Sequence, residues 1–119
     1  DLRGQVLIHD QSVDTSTGFA SWQAWLRHAG VQGVPTDRGL RINNSAAVLQ
    51  AAIDGQGVAL ARSVMAHDDL AAGRLVRLFP QVRLESALAY YVVYRPECIA
   101  QPKVAAFRDW LLREALGPA

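Results

Sequence analysis

Residues 38–63 read R-G-L-R-I-N-N-S-A-A-V-L-Q-A-A-I-D-G-Q-G-V-A-L-A-R-S, and no other stretch limits the fold as tightly. Leu40 and Ile42 flank Arg41 in the alternation of a half-buried strand. Asn43, Asn44 and Ser45 then offer candidate N-caps. Behind them, Val48, Leu49, Ala52 and Ile53 recur at the spacing that gives a helix one apolar face. Asp54-Gly55-Gln56-Gly57 stops that helix, because glycine accepts the left-handed backbone of a helix end. Residues 58–61 resume as an uninterrupted apolar run before the polar pair Arg62-Ser63. Strand, helix, glycine turn and buried strand make a βαβ unit, whose two strands run parallel. Asn43, Asn44, Ser45, Arg62 and Ser63 all fall just after strands. In open α/β sheets that carboxyl edge is where ligands bind.

The flanking sequence extends the same pattern. Val6, Leu7 and Ile8 predict a first strand that ends in His9-Asp10-Gln11, three polar residues presented on one side. Residues 12–18 are rich in Ser, Thr and Asp and predict a loop, with Thr15 or Thr17 as cap of the next helix. Phe19, Trp22, Trp25, Leu26 and Ala29 carry that helix and Gly30 ends it, with Pro35 and Asp37 in the connection that follows. Beyond the central unit, Ser63 is read as the cap of a helix over 64–72 that Gly73 terminates. Leu75, Leu78 and Phe79, interspersed with Arg74 and Arg77, predict another strand halted by Pro80. Residues 87–94, A-L-A-Y-Y-V-V-Y, have the strongest strand propensity of the chain. A loop bounded by Pro96 and Pro102 leads to a last helix over 103–115, with Val104, Phe107, Trp110 and Leu111 on one stripe. There is no internal repeat.

Composition excludes several function classes. Half of the 119 residues are apolar, enough for a packed core, so the chain is no disordered tail. Twelve basic against eleven acidic residues give a net charge of +1, which argues against a general nucleic-acid surface. The single cysteine, Cys98, has no internal disulfide partner, and no Cys/His cluster has metal-ligand spacing. No apolar run approaches the ~20 residues that cross a bilayer. A reduced, cytoplasmic setting without membrane or cofactor is the expectation. Asp1-Leu2-Arg3-Gly4 enters a strand almost at once and has none of the features of a signal peptide, so a piece of a longer protein is expected. No G-x-S-x-G elbow gives a serine nucleophile context, and no enzyme is read here.

Taken together, N-N-S-A-A-V-L-Q-A-A-I-D-G-Q-G-V-A-L, D-L-A-A-G-R-L-V-R-L-F-P, A-Y-Y-V-V-Y and P-K-V-A-A-F-R-D-W-L-L-R-E resemble the effector-binding domain of LysR-type transcriptional regulators. The order and spacing are most similar to the branch of glycine-cleavage and β-lactamase activators. The resemblance implies an α/β fold of two Rossmann-like lobes, similar to type 2 periplasmic binding proteins, with an effector cleft between them. It implies a mixed, mostly parallel sheet flanked by helices. Residues 5–86 would form the second lobe, and residues 87–116 would supply the return strand and helix of the first. A winged helix-turn-helix elsewhere in the protein would contact DNA. The implied partners are a small effector, a carboxylate or an amino acid, and further copies of the chain in a homodimer or homotetramer. A lobe of a transport-type solute-binding protein would share the fold and is the alternative.

Each candidate ligand residue has two readings. Asn43, Asn44 and Ser45 either cap the helix, contributing about 1 kcal/mol, or sit where its N–H groups and positive dipole end meet an anion. Arg62 is a solvated or salt-bridged cation, or a guanidinium that grips a carboxylate through two hydrogen bonds. Ser63 is a helix cap or a ligand contact. Asp10 anchors the loop after the first strand or borders the cleft, as the resemblance implies. His28 and His67 are read as surface histidines on helices. Trp22, Trp25 and Trp110 are read as core or interface packing, with Trp22 and Trp25 only partly covered.

Overall fold

A computed structural model of the protein describes residues 1–12, 20–84 and 91–116. Two compact units divide the chain, Asp1–Leu88 and Ala89–Ala119. In the first, the elements follow as β1 (Leu7–Asp10), α1 (Trp22–Ala29), β2 (Leu40–Ile42), α2 (Ser45–Ile53), β3 (Val58–Ala59) and α3 (Ser63–Ala71). The fold is α/β, as the resemblance implied.

β1 is the strand on which everything packs. It lies between β2 and β3, and both pairs are parallel, with Ile8 opposite Leu40 and Ala59, and Leu7 opposite Val58. Successive strand residues point to opposite faces, and the two faces carry different layers. Leu7 joins Leu2, Trp22 and Leu26, backed by Trp25, Val34, Val58 and Leu60. Ile8 joins Val48 and Ala51, backed by Leu40, Ile42, Ala52 and Ala59. Thus α1 covers one face and α2 the other. Leu7 and Ile8 are almost fully buried, each contributing about 1.5–3 kcal/mol of hydrophobic stabilisation. Trp22 is buried rather than partly covered, and its indole Nε1–H donates to the Ile8 carbonyl at 2.9 Å. Trp25 is half-buried and meets Trp22 edge-on at 5.7 Å.

The helix ends follow local chemistry. Ser21 caps α1 by accepting from the Ala24 N–H; Thr15, Thr17 and Phe19 lie outside the described residues. Gly30 closes α1 in the left-handed conformation at φ 71°. Of the three candidates before α2, Asn44 is the cap, its Oδ1 accepting from the Ala47 N–H at 3.0 Å. Gly39 and Gly57, which precede β2 and β3, let those strands approach β1: a Cβ at Gly39 would lie 2.1 Å from the Leu7 carbonyl oxygen.

Two readings at α3 and beyond need correction. Ser63 is the first residue of α3 rather than its cap; Arg62 holds the cap position and makes no side-chain capping bond. Residues 75–79 form no strand. Arg74 turns the chain there, its backbone N–H and guanidinium both bonded to Asp69, and the Leu75 N–H bonds to the Asp69 carbonyl as well. Val76 and Leu78 are exposed and Phe79 has φ 51°, so the apolar spacing of this segment has no sheet edge to fill.

Of the strand expected over 87–94, residues 87–90 lie outside the described residues, and residues 91–94, in the second unit, form no strand. Tyr91 and Val93 are 80% and 90% exposed, and among the described residues no neighbouring strand pairs with them. A strand without a ladder partner leaves its backbone groups to water. A short 3₁₀ turn, Pro96–Cys98, precedes α4 (Pro102–Leu116). Phe107 and Trp110 stack at 5.9 Å on the exposed side of α4, and Arg108 reaches the Tyr94 hydroxyl. Among the described residues no helix is long and apolar enough to cross a membrane.

Candidate functional site

The carboxyl ends of the three parallel strands bring most of the candidate residues to one edge. Asp10 ends β1 opposite Ile42 of β2, and the Gln11 N–H continues the ladder to the Ile42 carbonyl at 2.8 Å. That pairing sets Asp10 beside the start of α2, three residues beyond Ile42. The Ser45 hydroxyl donates to Asp10 Oδ2 at 2.5 Å. The Ser12 hydroxyl and N–H both donate to Oδ1, at 2.5 and 2.9 Å. The two serine oxygens lie 3.2 Å apart. One carboxylate therefore ties the loop after β1 to the first turn of α2.

This arrangement sets the charge of Asp10. Burial alone would raise its pKa, but the hydroxyls of Ser12 and Ser45, the Ser12 N–H and the positive charge of Arg62 together hold it below the usual carboxylate value. The carboxyl group is thus ionised at neutral pH. Arg62, half-buried at the end of the β3 connection, also places Nη2 2.7 Å from the Met65 sulfur in the first turn of α3.

The remaining candidates divide plainly. Asn43 is exposed at the end of β2, and Asn44, also exposed, has its Oδ1 engaged in the cap. Ser63 is exposed at the head of α3. His9 does not share a side with Asp10, because adjacent strand residues alternate. It is buried, and its Nε2 donates to the Arg38 carbonyl at 2.9 Å, bracing the approach to β2. His28 and His67 are exposed on α1 and α3. Ser12 is the member that sequence reasoning left among loop residues. Its signal was present in Asp10-Gln11-Ser12, since an aspartate accepting from the residue two places on is a common turn.

Elsewhere, α2 and α3 border an open hollow of about 370 Å³ lined by Leu49, Ile53, Met65 and the Asp69–Arg74 ion pair, among others. Asp10 and Ser45 lie outside it. Among the described residues no three His, Cys, Asp or Glu side chains group to hold a metal ion.

Comparison with known proteins adds the family. Residues 1–116 match the LysR substrate binding domain. The chain is 43% identical to the glycine cleavage system transcriptional activator of Escherichia coli K12 over 97% of its own length. It is 30% identical over 94% of its length to the homologous activator of Haemophilus influenzae, and 32% identical over 88% to the HTH-type transcriptional regulator DsdC of Escherichia coli K12. It spans about a third of each: 35%, 35% and 33%. No solved structure matches significantly. A parallel sheet with polar strand tips, joined to this match across nearly the whole chain, leaves one assignment: the chain belongs to the LysR substrate-binding domain family, the effector-binding part of LysR-type transcriptional regulators.

Proposed function

We propose that this chain is one half of an effector jaw, the second lobe over residues 5–86 and the return segment of the first lobe over 87–116. The observation that carries the reading is the meeting of Asp10, Ser45 and the charge of Arg62 at the carboxyl edge of a parallel sheet. A small effector carrying a carboxylate is held there by the N–H groups at the head of α2, which end a helix dipole, and by the Arg62 guanidinium. Asn43 and Ser63 border the same edge. Closure of the lobes on the effector would shift the balance between two arrangements, and by no more than the difference in contacts it makes in each. A winged helix-turn-helix elsewhere in the protein transmits that shift to DNA in a homodimer or homotetramer, in the cytoplasm, and no bond is made or broken.

The named relatives are all transcriptional regulators, which favours this role over a transport-type solute-binding lobe. In the intact regulator, Asn43→Ala combined with Ser45→Ala is expected to abolish the transcriptional response to effector while operator binding survives in a gel-shift assay. Unchanged induction removes the α2 edge from the site.

A further inference from the structure

Helix α2 is apolar on two sides. Val48 and Ala51 face the sheet and pack with Ile8. Ala46, Leu49 and Ile53, at spacings of three and four, lie along another face of the same helix. A helix on the outside of a sheet ordinarily turns polar residues that way. Here the second face meets Met65, in the first turn of α3, and the two helices border the open hollow of about 370 Å³. Leu49 is buried, and Ile53 and Met65 are half-buried.

The polar rim of the hollow is asymmetric. The Gln50 amide is already held, its Nε2 donating to Asp54 Oδ1 at 2.9 Å. Arg74 Nε donates to Asp69 Oδ1 at 2.8 Å, and the aspartate is the more covered partner, its side chain 23% exposed against 54% for the arginine. That contact uses one of about five guanidinium N–H donors. The Nη1 and Nη2 groups donate to no described residue. Arg74 is also fixed through its main chain, its N–H bonding to the Asp69 carbonyl. The rim therefore offers a guanidinium edge in a set position. An apolar trough with such an edge fits an apolar body carrying an anionic head, which two parallel N–H···O bonds can hold. The volume is that of a small-molecule site, about 300–1,000 Å³. Its few lining residues do not make a protein interface, which engages roughly 20–30 residues a side. A second charge on the ligand would be stranded against Leu49 and Ile53. We propose that the hollow between α2 and α3 binds a medium-chain monocarboxylate, its alkyl chain along Leu49, Ile53 and Met65 and its carboxylate on the Nη edge of Arg74. This site is separate from the strand-tip edge, because Asp10 and Ser45 lie outside it.

Met65 is the one methionine of the chain, so its methyl group is the reporter. In the intact regulator with isotope-labelled methionine methyl groups, the NMR signal missing from Met65→Leu is that of Met65. Titration with hexanoate is expected to move it saturably at millimolar concentration. Hexanamide, of the same length without the charge, is expected to bind at least about tenfold more weakly. Arg74→Gln keeps the main-chain bonds to Asp69 and is expected to respond to the two probes alike. Asn43→Ala with Ser45→Ala is expected to keep the native response. No saturable shift, equal binding of both probes by the native protein, or a hexanoate preference that persists in Arg74→Gln overturns the site. A response lost in the Asn43 and Ser45 double variant puts hexanoate at the strand-tip edge and overturns it as well. The native comparison of the two probes decides the matter even if Arg74→Gln does not fold.

Discussion

The closeness of β2 to β1 can be tested with two alanines. Gly39 has φ 114°, and a Cβ there would meet the Leu7 carbonyl oxygen at 2.1 Å and the Leu7 carbonyl carbon at 3.1 Å. Gly55, just past α2, has φ 78° and open space around the added carbon. Gly55→Ala therefore reports backbone strain alone, about 1–2 kcal/mol for an L-residue in the left-handed region. Gly39→Ala adds a collision with main chain, which cannot swing aside as a side chain does. Relieving it means moving β1, whose Leu7 and Ile8 are locked into the two core layers. Strain of about 1–3 kcal/mol and overpacking of about 1–3 kcal/mol together put this variant roughly 2–6 kcal/mol below the parent. Urea unfolding followed by tryptophan emission measures both. With a slope of about 1–3 kcal/mol per M for a small domain, the added collision of about 1–3 kcal/mol is expected to make Gly39→Ala unfold about 0.3–3 M earlier than Gly55→Ala, with similar slopes. Coincident midpoints refute the reasoning, because they would mean the Leu7 carbonyl does not wall off that position.

Trp22→Phe keeps an aromatic ring in the layer but removes the donor to the Ile8 carbonyl; a loss of about 1–3 kcal/mol is expected from the buried acceptor left behind, and an unchanged melting temperature contradicts it. The lowered pKa of Asp10 gives a pH dependence of definite sign. Because the folded carboxyl lies below the ordinary value of 3.8, the unfolded chain binds more protons between the two values. Its contribution is fully present above 3.8 and is lost as pH falls through the folded value. The stability difference between the native chain and Asp10→Asn should therefore shrink on acidification below about pH 4, and a difference that stays level in urea titrations over that range refutes the Ser12–Asp10–Ser45 bonding.

The central βαβ unit was legible in sequence because its signals are local and agree. Leu40 and Ile42 alternate, Asn44 precedes an apolar helical face, and Gly55 sits where the helix must stop. The segment after Gly73 was misread for the opposite reason. Leu75, Leu78 and Phe79 look like strand residues, but strandness also needs a free edge to pair with, and Asp69 captures the chain at Arg74 instead. The cap of α1 was sought at Thr15 and Thr17 although Ser21 lies directly before Trp22. At the site, Asp10, Ser45 and Arg62 could be nominated one at a time from their places after strands. Their convergence could not, because it depends on the register of β1 against β2 and on hydroxyl directions across a separation of 35 residues.

The place of β1 in the middle of its sheet has a consequence for biosynthesis. Both strands that complete it are made after it: Ile8 waits 32 residues for Leu40, and Leu7 waits 51 for Val58. At roughly 5–20 residues per second, β1 lacks at least one of its two partner strands for about 3–10 s of synthesis. Both edges of β1 are therefore covered only once the chain beyond the turn at Gly57 has been made.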